Sequence, residues 1–251
     1  MVRLTVLGSC GAWPSGGRAC SGYVLESSGM NLVLDLGFGT LPRLLSRLRA
    51  EEVGAVFITH SHADHCVDLF GLLRARALPK PPLAPVPVYS PSDLLDRLAG
   101  LAGPDGARTL RSGMEFHPLA PDSEVAVGPF RIRSFALPHF VPNLGFRVEV
   151  EGRVIAYTGD TGPNSRVVDL ARDADLFLCE AMLQGTSTSE PEPMLLAAAE
   201  AGRYAREAHA RRLMLTHFWP YDDRSVSLRE ASREFSGEIV LAEEGLEVSV
   251  P

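Results

Sequence analysis

Short apolar runs, separated by polar and turn-forming residues, divide the chain into predicted strands and helices. In the first half, strands are predicted at residues 2–7, 20–26, 31–35 and 53–59, and helices at 41–51, 64–77 and 91–100. In the second half, strands are predicted at 124–127, 130–135, 145–150 and 154–157, and helices at 163–172, 194–209 and 226–235. Two strand-rich halves, each followed by helices, indicate a fold that combines α and β layers.

The connection at residues 78–87 is rich in proline. Proline-rich segments adopt extended conformations and usually act as spacers, and a partner-binding segment is the alternative. Directly after it, Ser90 is predicted to cap a helix that has Pro91 at its first position and ends near Gly100.

Length and composition indicate a globular protein with a substantial core. The chain has 251 residues, of which 45% are hydrophobic, and without a visible linker we predict a single domain over residues 1–251. The apolar runs are shorter than the roughly 20 residues that span a bilayer, so no membrane association is expected. Residues 1–8 resemble a first strand more than a signal peptide, which predicts a cytoplasmic location.

Charge and cysteine content bear on nucleic-acid binding and on disulfide bonds. The formal net charge of −7 opposes non-specific binding to nucleic acid, which needs clustered basic residues. The four cysteines lack Cys-x-x-Cys spacing, and reduced, buried thiols are the favoured interpretation: Cys10, Cys20, Cys66 and Cys179.

The strongest chemical signal is a cluster of potential metal ligands at the end of the strand predicted at 53–59. Three imidazoles and a carboxylate follow within six residues: His60, His62, Asp64 and His65. His60 and His62, two positions apart, can point the same way and hold one metal ion. Asp64 and His65 start the next helix and point to a neighbouring position. Because strand ends and helix N-termini are common ligand sites, we predict a metal centre at this turn.

This His-x-His-x-Asp-His run resembles that of the metallo-β-lactamase superfamily, and three later motifs match the family's pattern. They are Leu137-Pro138-His139, Thr158-Gly159-Asp160-Thr161 and Leu215-Thr216-His217-Phe218. The resemblance implies an α/β (α+β) fold in the form of a four-layer αββα sandwich. It also implies a first metal held by His60, His62 and His139, a second held by Asp64, His65 and His217, and Asp160 bridging both. These nitrogen and oxygen donors suit Zn²⁺, with Mn²⁺ and Fe²⁺ as alternatives.

Within the family, the motifs look most like the phosphodiesterase branch, which contains the tRNA-processing ribonuclease Z and cyclic-nucleotide phosphodiesterases. The resemblance implies hydrolysis of a small or short phosphodiester, such as a cyclic nucleotide, by a hydroxide that bridges two metals. The best-known β-lactamases lack the histidine of the Asp-His pair and have cysteine in place of Asp160, so penicillin hydrolysis is not expected.

The alternatives are tRNA 3′-end cleavage, hydrolysis of a lactone or other ester, and a catalytically weak metal-binding protein. A homodimer is expected from the family alone.

Two departures from the tRNA enzymes bear on the mechanism. The basic arm that grips tRNA is missing, because only one hairpin fits between His139 and Asp160. The family's His-Glu-Ala-Thr motif is Cys179-Glu180-Ala181-Met182 here, and a later histidine aligns with Met194. The proton donor for the leaving oxygen is therefore left open between Glu180 and metal-bound water. Asp64 and Glu180 are the candidate catalytic carboxylates.

Several other polar and aromatic residues have predicted roles near this centre. Asp35 ends a buried strand, where its carboxylate is costly unless it is hydrogen-bonded. The family resemblance implies that Asp35 braces the metal-binding loop, and Ser61 is expected to be structural. Arg147 is left open between binding phosphate and pairing with Glu149 or Asp160. His117 and His209 are expected to lie outside the site. Trp13, Trp219 and Tyr221 are candidate walls for a base or another aromatic group.

Overall fold

Two comparable sets of strands and helices make up the computed structural model, which describes residues 1–186 and 193–250. The strands are β1 (Val2–Gly8), β2 (Gly22–Ser27), β3 (Met30–Leu36), β4 (Val53–Phe57), β5 (Val86–Ser90), β6 (Met114–Pro118), β7 (Glu124–Val127), β8 (Phe130–Leu137), β9 (Asn143–Val150), β10 (Arg153–Tyr157), β11 (Leu176–Glu180), β12 (Arg212–Thr216), β13 (Glu238–Leu241) and β14 (Glu247–Val250). The helices are α1 (Thr40–Leu45), α2 (Ala63–Cys66), α3 (Leu69–Ala77), α4 (Leu94–Leu101), α5 (Gly106–Arg111), α6 (Arg166–Ala171), α7 (Ala198–Glu207) and α8 (Arg224–Glu234), with a 3₁₀ turn at Ala50–Glu52. No described helix is long and apolar enough to cross a membrane.

The strands form two sheets built to the same plan. One sheet has the order β14-β1-β2-β3-β4-β5-β6, and the other has the order β13-β12-β11-β10-β9-β8-β7. In each sheet an antiparallel part continues into a parallel part, at β3–β4 in the first and at β10–β11 in the second. Parallel strands are covered on both faces, and the wholly buried pattern of β11 is typical of that position.

Three apolar layers hold the sheets and helices together. The central layer lies between the sheets and contains Leu4 and Phe57 from the first, with Phe146 and Met214 from the second. Residues of α3 and α4 join one outer layer against the first sheet. Residues of α6 and α7 join the other against the second sheet. The order helix, sheet, sheet, helix confirms the predicted four-layer αββα sandwich.

The predicted cap at Ser90 is wrong. Ser90 is the last residue of β5, where it pairs with Pro118 of β6, and the following helix α4 begins only at Leu94 with Asp93 before it. Sheet pairing outweighs the local Ser-Pro signal, because a residue held in a ladder cannot also start a helix. The proline-rich segment 78–87 joins α3 to β5, and the Arg76 guanidinium donates to the Ala84 carbonyl within it.

Other predicted helices are shorter than their sequence patterns suggested. The helix predicted at 41–51 is divided into α1 and the 3₁₀ turn, and the helix predicted at 163–172 starts at Arg166. Before Arg166, the Asn164 side chain accepts the Arg166 backbone N–H at 3.0 Å and donates to the Gly162 carbonyl at 2.9 Å. These bonds hold residues 162–165 as a loop beside the candidate site. The helix α5 was not predicted, because the glycine, proline and aspartate at 103–106 favour a turn.

Candidate metal centre

The seven predicted metal ligands follow the C-terminal ends of four strands, and the fold brings those ends together at one edge of the sandwich. His60 and His62 follow β4, and Asp64 and His65 lie in α2. The other three follow strands of the second sheet: His139 after β8, Asp160 after β10 and His217 after β12. Both sheets therefore contribute to the site.

The first donor set consists of His60, His62, His139 and Asp160, whose ligand atoms lie within 4.8 Å of one another. The Nδ1 atom of His62 is 3.1 Å from Nε2 of His60 and 3.1 Å from Nε2 of His139. The Oδ2 atom of Asp160 is 3.7 Å from the Nε2 atoms of both His60 and His139. Four ligands at about 2.0–2.1 Å from a tetrahedral zinc ion are about 3.3 Å apart, which is close to these distances.

The second donor set consists of Asp64, His65, Asp160 and His217. The Nε2 atoms of His65 and His217 are 3.3 Å apart. The Oδ1 atom of Asp160 is 3.2 Å from His65 Nε2 and 3.3 Å from His217 Nε2, and Asp64 Oδ2 is 3.6 and 3.4 Å from the same two atoms. This set also has the spacing of a four-coordinate ion.

Asp160 faces both donor sets with different oxygens, and its contacts test whether metal ions fit. Its side chain is almost fully buried, and its Oδ1 atom has no hydrogen-bond partner. A buried carboxylate oxygen without a partner is costly, and a cation between the imidazoles and the carboxylates would satisfy it. The donor atoms and their spacing therefore fit a dinuclear metal site.

Burial and the neighbouring charges give the donor residues different protonation states: His60 is neutral, Asp160 is an anion and His65 carries a proton that a metal ion would displace. Burial, followed by the neighbouring His65, lowers the pKa of His60 well below its ordinary value, so its imidazole is neutral. Burial acts to raise the pKa of Asp160, but His217 and His65 outweigh it and hold that pKa well below the ordinary value. Burial also acts against a charge on His65, yet the carboxylates of Asp160 and Asp64 raise the pKa of His65 well above normal. The second set thus favours a positive charge.

A buried network fixes the orientation of the ligands. Asp35 is fully buried and accepts hydrogen bonds from the Thr59 N–H at 2.7 Å, from His65 Nδ1 at 2.8 Å and from the Tyr157 hydroxyl at 2.7 Å. His139 donates through Nδ1 to the Met194 carbonyl at 3.0 Å, which directs its Nε2 to the first set. Such outer partners fix the tautomer and the direction of a ligating imidazole. These contacts agree with the predicted bracing role of Asp35.

The backbone around the site takes conformations that non-glycine residues rarely adopt. Asp35 has φ 55°, His217 has φ 56° and Ala12 has φ 59°, all in the left-handed region. Gly37 is needed for a different reason, since a Cβ atom there would lie 1.8 Å from the Asp64 carbonyl oxygen. Strain of this kind costs about 1–3 kcal/mol per residue and concentrates at functional sites.

The loop after β1 completes one side of the site. The Ala12 N–H donates to Asp64 Oδ2 at 2.8 Å, and Gly11 lies so close to His217 that a Cβ atom would be 2.9 Å from its Cε1. The next residue, Trp13, contacts Trp219 with ring centroids 4.8 Å apart. Nothing in the sequence indicated the Ala12 contact, because a backbone N–H has no side-chain signal.

Glu180 lies at the end of β11, next to the loop that contains Asp160. Its side chain is fully buried, and its Oε1 atom accepts the Thr161 N–H next to Asp160. Burial, followed by the charge of Asp160, raises the pKa of Glu180 well above its ordinary value. Cys179 belongs to the outer apolar layer, and Met194 offers its carbonyl to His139.

The remaining predicted residues lie outside both donor sets. Arg147 donates to the carbonyls of Leu170 and Arg172 and pairs with Glu149 at 3.4 Å. Of the two alternatives, phosphate binding and a structural ion pair, the structure shows the ion pair with Glu149. His117 stacks on Tyr89, and Ser61 donates to Asp93 at 2.7 Å. His209 follows the end of α7 with φ 54°. Sequence reasoning missed Thr59 and Tyr157, which look like ordinary strand residues.

Comparison with known proteins gives concordant matches along nearly the whole chain. A profile of the β-lactamase superfamily domain matches residues 30–218. The uncharacterized protein Rv1339 of Mycobacterium tuberculosis is 35% identical over 254 residues, which cover 98% of this chain and 92% of that protein. The probable metallo-hydrolase YhfI of Bacillus subtilis is 28% identical, with 97% and 98% covered.

Solved structures show the same likeness in three dimensions. The crystal structure of YhfI superposes with a TM-score of 0.88 and covers 98% of both chains at 27% identity. The crystal structure of the short form of human tRNase Z superposes with a TM-score of 0.80 and covers 99% of both chains at 28% identity.

Proposed function

The chain belongs to the β-lactamase superfamily, and from that premise we propose that it is a metal-dependent phosphodiesterase acting on a small or short phosphodiester such as a cyclic nucleotide. The members it resembles include a probable metallo-hydrolase and a tRNase. Within this proposal, two zinc ions are the cofactor, and the seven side chains of the two donor sets are their ligands.

One observation carries the proposal: Asp160 belongs to both donor sets, with its Oδ2 atom facing the first set and its Oδ1 atom facing the second. Shared carboxylates are suited to metal pairs, and metal pairs are suited to displacement at phosphorus because both the entering and the leaving oxygen need charge stabilisation. When bound, the ions lower the pKa of a water molecule and neutralise charge on the phosphodiester. An attacking serine or cysteine is then not required.

Asp64 is the catalytic carboxylate of the proposal. Its side chain is at the edge of the buried cluster, 9% exposed, and the Ala12 N–H fixes its direction. Burial acts to raise its pKa, but His65 and His217 outweigh that effect and lower it, so the group is an anion at neutral pH. An oriented carboxylate at this position can hold the attacking water and accept its proton.

Glu180 has a different role in the proposal, because its carboxyl is fully buried and accepts the Thr161 N–H. It positions Asp160 through the Thr161 N–H.

We expect Glu180→Gln to keep kcat/KM within about tenfold of the parent, since glutamine can accept the same hydrogen bond and the raised pKa already favours a neutral group. Glu180→Ala removes the acceptor and is expected to lower kcat/KM by about 10- to 100-fold. The metal content of this variant is also expected to fall. Equal and complete losses in both variants would instead indicate direct proton transfer by Glu180.

Cleavage of precursor tRNA is the second candidate, favoured by the likeness to the short human tRNase Z. Against it, His139 and Asp160 are joined through the simple hairpin of β9 and β10, which leaves no room for an RNA-binding arm. The net charge of −7 also gives little attraction for a polyanion.

Metal removal tests the proposal directly. Dialysis against a chelator is expected to abolish hydrolysis of bis(p-nitrophenyl) phosphate and cyclic AMP, and added Zn²⁺ or Mn²⁺ is expected to restore it. Metal analysis and circular dichroism before and after dialysis separate loss of the ions from loss of the fold.

A substrate panel then separates the candidates. Faster turnover of cyclic AMP than of precursor tRNA or a lactone supports the proposal. Specific 3′-end cleavage of tRNA would replace it with the second candidate. Full metal content without turnover of any phosphodiester would contradict it and indicate a metal-binding protein.

A further inference from the structure

Exposed aromatic side chains are concentrated beside the metal centre. Among the described residues, the exposed large aromatic side chains are Phe140, Trp219 and Tyr221, with exposures of 69%, 38% and 77%. Phe140 directly follows His139, and the other two lie two and four positions after His217. Exposed aromatic area is unfavourable in water, and its restriction to this edge points to a ligand with an apolar or planar group.

Two of these rings, Trp219 and Tyr221, form a continuous surface with the partly exposed Trp13, and we call these three residues the aromatic wall. Trp13 meets Trp219 edge to face at a centroid distance of 4.8 Å and lies 5.8 Å from Tyr221. Trp13 is less exposed than the other two rings and contacts both of them, which holds them in place. Rings that pack on each other lose little further entropy when a ligand binds.

Backbone contacts attach the aromatic wall to the second donor set. The Gly11 N–H donates to the Phe218 carbonyl at 2.9 Å, and the Phe218 N–H donates to the Ser9 carbonyl at 3.0 Å. The loop that carries Trp13 and the loop that carries Trp219 are therefore joined. The same two loops contain Ala12, which donates to Asp64, and His217 itself. Behind them, the Arg224 guanidinium lies 4.3 Å from the Phe218 ring.

We propose that the aromatic wall binds the nucleobase of a nucleotide phosphodiester, with Trp219 and Tyr221 as the stacking surface and Trp13 as their support. This inference rests on the proposed phosphodiesterase function and adds the part of the substrate that the protein recognises. Stacking on aromatic side chains tolerates any base, because every base offers a planar face. The aromatic wall therefore gives affinity for nucleotides without strong preference among the four bases. Stacking does not depend on positive charge, which suits a chain with a formal net charge of −7.

Intrinsic fluorescence provides a test that does not depend on turnover. The chain has two tryptophans, and both belong to the aromatic wall. A base stacked on the wall is expected to quench tryptophan fluorescence. Titration of the zinc-loaded protein with AMP is expected to quench the signal, and ribose 5-phosphate, which has the sugar phosphate but no base, is expected to bind at least about tenfold more weakly. GMP, CMP and UMP are expected to match AMP within about threefold.

Conservative variants distinguish stacking from a general effect on the fold. Trp219→Leu and Tyr221→Leu are each expected to raise the Kd for AMP about tenfold and to leave that for ribose 5-phosphate unchanged. Tyr221→Phe retains the ring and is expected to behave as the parent. Leu101→Ala, at an exposed apolar residue of α4, is the matched surface control. Equal affinity for AMP and ribose 5-phosphate in the parent, or an unchanged ratio in Trp219→Leu, would overturn the proposal.

The same variants keep the two proposals separate. Base-dependent quenching without hydrolysis of any phosphodiester would sustain the nucleobase site and defeat the proposed enzyme activity. Hydrolysis of methyl p-nitrophenyl phosphate and of thymidine 5′-monophosphate p-nitrophenyl ester with equal KM, unaffected by Trp219→Leu, would sustain the activity and defeat the nucleobase site.

Discussion

Asp160→Ala is expected to reduce kcat/KM for a phosphodiester by more than about 100-fold, because both donor sets lose the carboxylate they share. Removing a group that merely orients a metal ligand already costs about 10- to 100-fold, and Asp160 is in direct reach of both proposed ions. Metal content per chain, measured by mass spectrometry of the purified protein, is expected to fall with the activity. Removing the Asp160 carboxylate leaves Asp64, at 3.6 and 3.4 Å, as the carboxylate beside the Nε2 atoms of His65 and His217.

Asp169→Ala is the matched control for this prediction. It is the same substitution on α6, but the Asp169 carboxylate is exposed and pairs only with Arg172 among the salt bridges of the described residues. Surface pairs of this kind contribute about 0–1 kcal/mol, so parental activity and metal content are expected. An Asp160→Ala protein with near-normal turnover and full metal content would refute the bridging role.

Asp35→Ala is expected to lower the free energy of unfolding by about 3–5 kcal/mol, because it removes a buried carboxylate that other buried groups depend on. The Thr59 N–H, the Tyr157 hydroxyl and the His65 imidazole would all lose their acceptor in a region with no solvent access. Since Asp35 lies in β3 and Tyr157 in β10, the substitution also removes a polar tie between the sheets. Urea unfolding followed by circular dichroism measures the loss.

Tyr157→Phe tests the hydrogen bond from Tyr157 to Asp35 separately from the bond between Asp35 and His65. It removes one donor to Asp35 and leaves the bond to His65 in place, so a cost of about 1 kcal/mol and full metal content are expected. Asp35→Ala should lose metal affinity as well as stability. Unchanged unfolding of Asp35→Ala would show that the network contributes no stability.

The layered fold could be predicted because its signals are local and repeated. Alternating positions at 130–135 and 145–150 mark strands with two different faces, and the structure extends both to eight residues. Element ends were predicted less well where a tertiary contact decided them. Ser90 is held in β5 by the neighbouring strand, and the loop before Arg166 is held by the Asn164 side chain.

The donor residues could also be predicted, because four of them lie within six residues and the other three match the family's motifs. The contacts behind them could not. Tyr157 looks like a core strand residue, and only the pairing of two sheets brings its hydroxyl to Asp35. The Ala12 N–H carries no side-chain signal at all. For Glu180, the motif indicated importance, whereas its complete burial follows from packing between β11 and the loops around it.

The distribution of the donor residues along the chain sets an order on metal capture during protein synthesis. Four of them leave the ribosome early, as residues 60–65, but the first set needs Asp160 and the second needs His217. The edge strand β14 can pair with β1 only when residues 247–250 have been made. A growing chain that follows N-to-C order thus presents open, low-affinity histidines until its second half has folded. Under the proposed metal-dependent function, both donor sets are complete only after residue 217 has been made, so shorter chains are expected to bind the ions weakly.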